Sequence, residues 1–118
     1  MRTLRGMVFI TVLLLVPAYS FATEMQDEIR HLLEFVANTQ CKYERNGSSH
    51  SGPDAVNHIK TKYDYFKDDI DTTEKFIELS ATKSTMSGKF YMINCEGKEK
   101  IKSQQWLLQE LDKYRSEK

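Results

Sequence analysis

The chain has 118 residues and balances 17 basic against 17 acidic side chains, for a formal net charge of zero. That length holds one domain with one modest core. No block of basic residues stands out, so neither a nucleic-acid partner nor an anionic-membrane surface is indicated.

The N-terminus reads as an export signal. Arg2 and Arg5 form a short basic region, Met7 to Val16 is apolar apart from Thr11, and Pro17 breaks the run. Ser20-Phe21-Ala22 then supplies small residues at the −3 and −1 positions of a signal-peptidase site. At about ten residues the apolar run is too short to cross a ~30 Å hydrocarbon core as a helix. No Cys follows it, so a lipid anchor is not indicated. The expected organisation is a signal peptide over 1–22, cleaved after Ala22, and a single periplasmic domain over 23–118 with no stable membrane anchor. Without Arg2 and Arg5 that domain has two fewer basic than acidic side chains. Its two cysteines, Cys41 and Cys95, form an isolated pair, which in an oxidising compartment reads as a disulfide. Metal binding is the poorer reading, because neither Cys sits in a C-x-x-C or has a nearby His. Closing a loop of this size stabilises by about 4 kcal/mol in the chain-entropy model.

Met25, Ile29, Leu32, Leu33 and Val36 recur at helical spacing and predict a first helix fading near Asn38. Glu24, Asp27 and Glu28 load its expected first turn with acid, as the helix dipole prefers. His31 and Phe35 lie four apart on the far side, facing away from the apolar stripe. Cys41 to Arg45 alternates and predicts a strand, ended by the turn-forming Asn46-Gly47. Ser48 to Gly52 reads as polar loop. Pro53 and Asp54 open a second helix that buries Val56, Ile59, Tyr63 and Phe66. Asp71-Thr72-Thr73-Glu74 resembles a capping box and starts a third helix burying Phe76, Ile77 and Leu79.

Lys83 to Gly88 is rich in Ser and Thr and reads as loop, and Lys89 to Cys95 as a second strand with Tyr91 and Ile93 on one face. Gly97 marks a turn. Ser103 is the expected cap of a last helix carrying Leu107, Leu108, Leu111 and Tyr114, with Trp106 off that stripe. The fold class is mainly α (α+β): about four helices, a short two-stranded β-ribbon and one disulfide. If Cys41 bonds Cys95 across an antiparallel pair, Tyr43 faces Ile93 and Arg45 faces Tyr91, near enough for stacking or a hydrogen bond.

Three polar groups bear on function. Arg45-Asn46-Gly47, followed by His50, could hold a carboxylate or phosphate through the guanidinium fork and free turn amides, or be an ordinary strand end. His58, with Asp54 and Lys62 one turn away on either side, has the setting of a general base or of a boundary histidine bonded to a loop. Ser84-Thr85-Met86-Ser87-Gly88 adds hydroxyls, but neither G-x-S-x-G nor S-x-x-K is present to mark a nucleophile. His31, His50 and His58 show no metal-ligand spacing, and no Gly-rich phosphate loop occurs.

Arg45-Asn46-Gly47, Asp54-Ala55-Val56-Asn57-His58-Ile59, the stretch Ile70 to Ile77, and Ser84 to Tyr91 together resemble DUF5329, a family of small bacterial periplasmic proteins of unknown function. The resemblance runs from about Ile29 to Tyr114. The family pattern pairs the Arg-Asn-Gly turn with an Ala-x-x-His helix and a Ser-rich Gly-Lys-Pro-Tyr stretch; here Phe90 replaces the Pro and Tyr91 keeps the Tyr. The resemblance implies an envelope location and a fold, and no reaction.

The motif residues Arg45, Asn46, His58, Ser84, Ser87 and Tyr91 come from four segments and converge if the strands pair beneath the second helix. Convergence fits a ligand pocket or a buried polar network. The favoured reading is a non-catalytic binding or accessory protein that takes a small anionic ligand or an envelope protein at this cluster, with no cofactor and no metal. The alternatives are a small hydrolase using Ser84 or Ser87 with His58, and an interaction domain using an exposed His31–Phe35 face.

Overall fold

Helix α1 (Ser20–Ala37) buries Ile29, Leu32 and Val36, the stripe expected from their spacing. The computed structural model describes Gly6 and residues 20–118, so the signal peptide expected over 1–22 lies mostly outside the described residues. Because α1 starts at Ser20, Glu24, Asp27 and Glu28 sit beyond its first turn rather than in it. Glu28 is buried in an ion network instead of facing the helix dipole.

Strand β1 (Lys42–Arg45) turns through Asn46-Gly47 directly into β2 (Ser48–His50), where the sequence predicts loop. Asn46 and Gly47 both have positive φ, 50° and 79°, the backbone that a two-residue hairpin turn requires and that Asn and Gly accept most readily. Ser48, Ser49 and His50 have little strand preference of their own. Their pairing is imposed by the turn, with Tyr43 opposite His50 and Arg45 opposite Ser48.

Helix α2 (Gly52–Phe66) begins as predicted, with Pro53 in its first turn and the Ser51 hydroxyl accepting from the Asp54 amide. Gly52 lies hard against the end of α1: a Cβ built there would stand 2.2 Å from the Val36 carbonyl oxygen. A 3-10 turn (Lys67–Asp69) leads to α3 (Thr73–Ser80). Thr72 caps α3 by accepting from the Lys75 amide, while Glu74 points to Arg115, so the reciprocal half of a capping box is missing.

Strand β3 (Met92–Asn94) pairs antiparallel with β1, matching Lys42 with Asn94, Tyr43 with Ile93 and Glu44 with Met92. One step outward at one end, Cys41 and Cys95 form the disulfide, their Cα atoms 4.3 Å apart. A fourth strand, β4 (Ile101–Lys102), follows the Gly97 turn and pairs with β3, so the expected two-stranded ribbon is a four-stranded antiparallel sheet in the order β2-β1-β3-β4.

Helix α4 (Ser103–Ser116) buries Leu107 and Leu111. Ser103 does not cap it. Its hydroxyl is turned inward to the buried Tyr43 hydroxyl, which also donates to the Ala81 carbonyl, and Lys102 stands at the cap position without a side-chain bond. The core joins Leu32, Tyr43, Ile59, Phe76, Ile77, Ile93, Leu107 and Leu111, one contribution or more from every main helix and the two central strands. The fold is α+β, and no helix among the described residues is long and apolar enough to cross a membrane.

The expected exposed His31–Phe35 face is covered by α4. His31 stacks on Tyr114 with ring centroids 4.1 Å apart and bonds Glu110 at 2.7 Å, while Phe35 packs against Trp106 at 4.4 Å. Trp106, off the leucine stripe, thus finds its partner on α1. Both faces were amphipathic because each meets the other.

Candidate functional site

Side chains alternate along a strand, so the burial of Tyr43 places Arg45 on the same face of the sheet. His50 lies opposite Tyr43 in the hairpin and shares that face. Helix α2 lies over it, presenting His58 and, one turn later, Lys62. Tyr91 enters just before β3 and is buried. Its hydroxyl lies 2.9 Å from His58 Nε2, and Lys62 Nζ donates to it at 3.5 Å and to the Lys83 carbonyl at 2.7 Å.

The ladder register, carried one residue past β3, sets Arg45 opposite Tyr91. No hydrogen bond or ring stacking joins the two among the described residues. The cation over the Tyr91 ring is Lys62, 5.2 Å from its centroid, and the T-shaped ring partner is His58. The guanidinium is near enough, however, to act on every titrating group around it. Burial, then Arg45, Lys62 and His50, push the His58 imidazole down to about 4. Burial and Arg45 lower Lys62. Burial raises the Tyr91 phenol, and Arg45 opposes that shift. His58 and Lys62 therefore meet at one phenol within the field of Arg45, with His50 acting on His58, and none of these four basic side chains makes an ion pair among the described residues.

Asn46, Ser84 and Ser87 form a second group. Ser87 Oγ donates to Asn46 Oδ1 at 2.6 Å, Asn46 Nδ2 donates to Ser84 Oγ at 3.3 Å, and the Ser87 amide donates to Ser84 Oγ at 3.2 Å. The Lys89 amide donates to Ser87 Oγ, and backbone bonds between Ser84 and both Gly88 and Lys89 close the loop. These hydroxyls tie the Asn46-Gly47 turn to the 83–88 loop. The six residues singled out by sequence thus divide into a knot of three (Asn46, Ser84, Ser87) and a basic cluster of three (Arg45, His58, Tyr91). Among the described residues no serine hydroxyl bonds His58 and no carboxylate orients the imidazole, so the parts of a nucleophilic triad are not assembled there.

Lys62 and His50 complete the cluster and were not chosen from sequence as site residues. The sequence offers Lys62 only as a neighbour of His58, and His50 only as the residue that follows the Arg45-Asn46-Gly47 turn. Among the described residues no group of three or more His, Cys, Asp or Glu side chains could hold a metal ion.

Beside the cluster lie two shallow cavities that share Lys62, Phe66 and Thr85. One, of about 270 Å³, continues to Leu79, Lys83, Ser84 and Gly88; the other, of about 260 Å³, to Thr61 and Tyr65.

Across known proteins, the model of a family of unknown function, DUF5329, matches residues 23–115. The uncharacterized protein YfeK of Salmonella typhimurium is 31% identical over 84 residues, covering 70% of each chain. No solved structure matches. The matched span contains all four helices' described packing faces, the disulfide and the basic cluster, and the chain belongs to the DUF5329 family.

Proposed function

We propose that this protein is a non-catalytic binding or accessory protein of the bacterial periplasm, and that it takes a small anion at Arg45, His50, His58 and Lys62. The observation that carries this reading is that His58 and Lys62 meet at the Tyr91 hydroxyl beside Arg45, with His50 acting on His58, and that none of the four has an ion-pair partner among the described residues. Burial first, and then the repulsion of the neighbouring cations, depresses His58 and Lys62. An anion removes the repulsion and gains charge-assisted bonds from a planar guanidinium and an ammonium. Asn46, Ser84 and Ser87 serve the site indirectly, by holding the turn that carries Arg45 against the 83–88 loop.

The disulfide supports an oxidising compartment. The periplasm is its reading for a bacterial chain that opens with a basic, then apolar, N-terminal segment.

Titration of the protein with inorganic phosphate, followed by amide chemical shifts, tests the reading. Saturable shifts at Arg45, His58, Lys62 and Tyr91 that vanish in Arg45→Ala are expected. Shifts spread over the whole surface, or unchanged in Arg45→Ala, would refute it.

A further inference from the structure

Helix α2 carries His58, Lys62 and Phe66 at successive turns of one face, so a line along the helix passes from basic to aromatic. Four residues of helix advance about 6 Å, so Lys62 and Phe66 are one turn apart. Lys62 belongs to both ends: its ammonium touches the Tyr91 hydroxyl, and its side chain lines both cavities. Beyond it the lining mixes apolar with polar side chains: Phe66 and Leu79 with Glu78, Lys83 and Ser84 in one cavity, and Phe66 and Tyr65 with Thr61 and Thr85 in the other. Tyr65 is 82% exposed and sits edge-on to Phe66 at 4.8 Å, and Met86 on the facing loop is 98% exposed. Large apolar side chains left this open beside a charged site mark a contact surface. Glu78 lines the first of these cavities together with Lys62, and its carboxylate pairs with Lys75 at 3.5 Å.

Resting on the anion-binding reading above, we infer that the ligand is an aryl anion: a phosphate or carboxylate joined to one aromatic ring, the anionic group at Arg45, His58 and Lys62 and the ring against Phe66 and Tyr65. One turn of helix is a span that a ring joined directly to its anionic group covers, and that a long alkyl chain overshoots. The two tyrosine and phenylalanine rings, set edge to face, favour a third flat ring over a flexible chain. Lys62, placed between the two halves, meets the anion with its charge and flanks the ring with its methylene stem.

The test compares inorganic phosphate, phenyl phosphate and octyl phosphate by calorimetric titration of the whole protein, and repeats it with Tyr65→Ala. That side chain is mostly in solvent, so its loss leaves the fold intact. Phenyl phosphate should bind about tenfold more tightly than inorganic phosphate, and Tyr65→Ala should remove most of that gain while leaving inorganic phosphate unaffected. Equal affinity for phenyl and inorganic phosphate would overturn the aryl inference and leave the anion site standing. A gain that survives Tyr65→Ala would also overturn it, because the ring would then lie elsewhere. Tighter binding of octyl than of phenyl phosphate would replace the aryl ligand with a chain-bearing one. Binding of none of the three would remove the anion reading itself.

Discussion

Two charged regions lie on opposite sides of the same small core, and they are built on opposite rules. On the helical side, Arg115 of α4 is bidentate to two carboxylates: Nε and Nη2 reach Glu28 at 2.7 and 3.1 Å, and Nη1 and Nη2 reach Glu74 at 2.9 and 3.0 Å. Thr73 adds a hydroxyl to Glu28 at 2.5 Å. Every charge there has a partner; bonding to Arg115 holds both carboxyls below their usual range and raises the guanidinium in return. On the sheet side, Arg45, His50, His58 and Lys62 make no ion pair among the described residues. The first arrangement fastens α1, α3 and α4 together. The second leaves an electrostatic demand that the chain itself does not meet, and only such a region has something to offer a ligand.

The difference can be pressed hardest through the disulfide, which belongs to the sheet side alone. Reducing Cys41–Cys95 should cost about 4 kcal/mol by the loop-closure argument. Hydrogen exchange in the reduced protein should quicken first in β1, β2 and β3, with α1 and α4 following only near global unfolding. Simultaneous loss of protection in both regions would show that they do not stand apart.

Next in size is Glu28→Ala, which strands a bidentate arginine and Thr73. Because Arg115 is partly solvated, the loss should be about 2–3 kcal/mol in chemical denaturation. Glu28→Gln should lose less, since an amide still accepts from Thr73. A loss under 1 kcal/mol for the alanine variant would mean the network is decorative.

Acid separates the regions by pH. His58 has a depressed folded-state value, about 4 against an ordinary 6.5, so the unfolded chain takes up its proton first. Its contribution is whole above pH 6.5 and is lost as pH falls from 6.5 through about 4. Glu28 and Glu74 are also lowered, so theirs is present above about 4.5 and is lost at lower pH. The melting temperature should fall in two stages on acidification. His58→Gln should flatten the upper stage only. Phosphate should oppose it, because an anion favours the protonated imidazole.

The smallest effect is expected for Arg45→Ala. Removing an uncompensated charge relieves repulsion, so stability should change by no more than about 0.5 kcal/mol, in either direction. His58 should titrate nearer its ordinary value in that variant, measured by the imidazole proton shifts. A loss above 1 kcal/mol would place Arg45 in the framework rather than in a site.

What was legible from sequence follows the range over which each signal acts. Two cysteines fix a register once the strands run antiparallel: with Cys41 opposite Cys95, Tyr43 then meets Ile93, and it does. The stripes of α1, α2 and α4 are local patterns and keep their buried centres (Ile29, Leu32 and Val36; Val56 and Ile59; Leu107 and Leu111), whereas Tyr63 and Phe66, expected to be buried on α2, are only half-buried because that end of the helix runs past the core. Ser48–His50 escaped because its strand comes from the turn before it and not from its own residues. Ile101–Lys102 is too short to carry an alternation at all. Glu28 reads as a first-turn acid, and nothing local to it or to Arg115 tells that residues 87 apart in the chain will meet. The same limit applies to the candidate site. Arg45 and Tyr91 are drawn together through the disulfide register, but Lys62 is legible only as the residue one turn from His58, and its reach to the Tyr91 hydroxyl depends on how α2 lies on the sheet.

The contact between Gly52 and the end of α1 sets a tolerance for the whole basic cluster. The hairpin hands the chain to α2 at the one residue where another backbone already occupies the space of a side chain. Helix α2 is therefore seated like a beam on a bearing with no clearance. Even a methyl group at 52 must lift its first turn, and the rise is carried along a rigid helix to His58 and Lys62. The hydrophobic stripe has slack, because methylene contacts fade gradually with distance. The 2.9 Å bond from His58 to Tyr91 has none. Gly52→Ala should thus misalign the histidine, the lysine and the arginine before it unfolds anything, making a residue with no side chain the one that sets how accurately they converge.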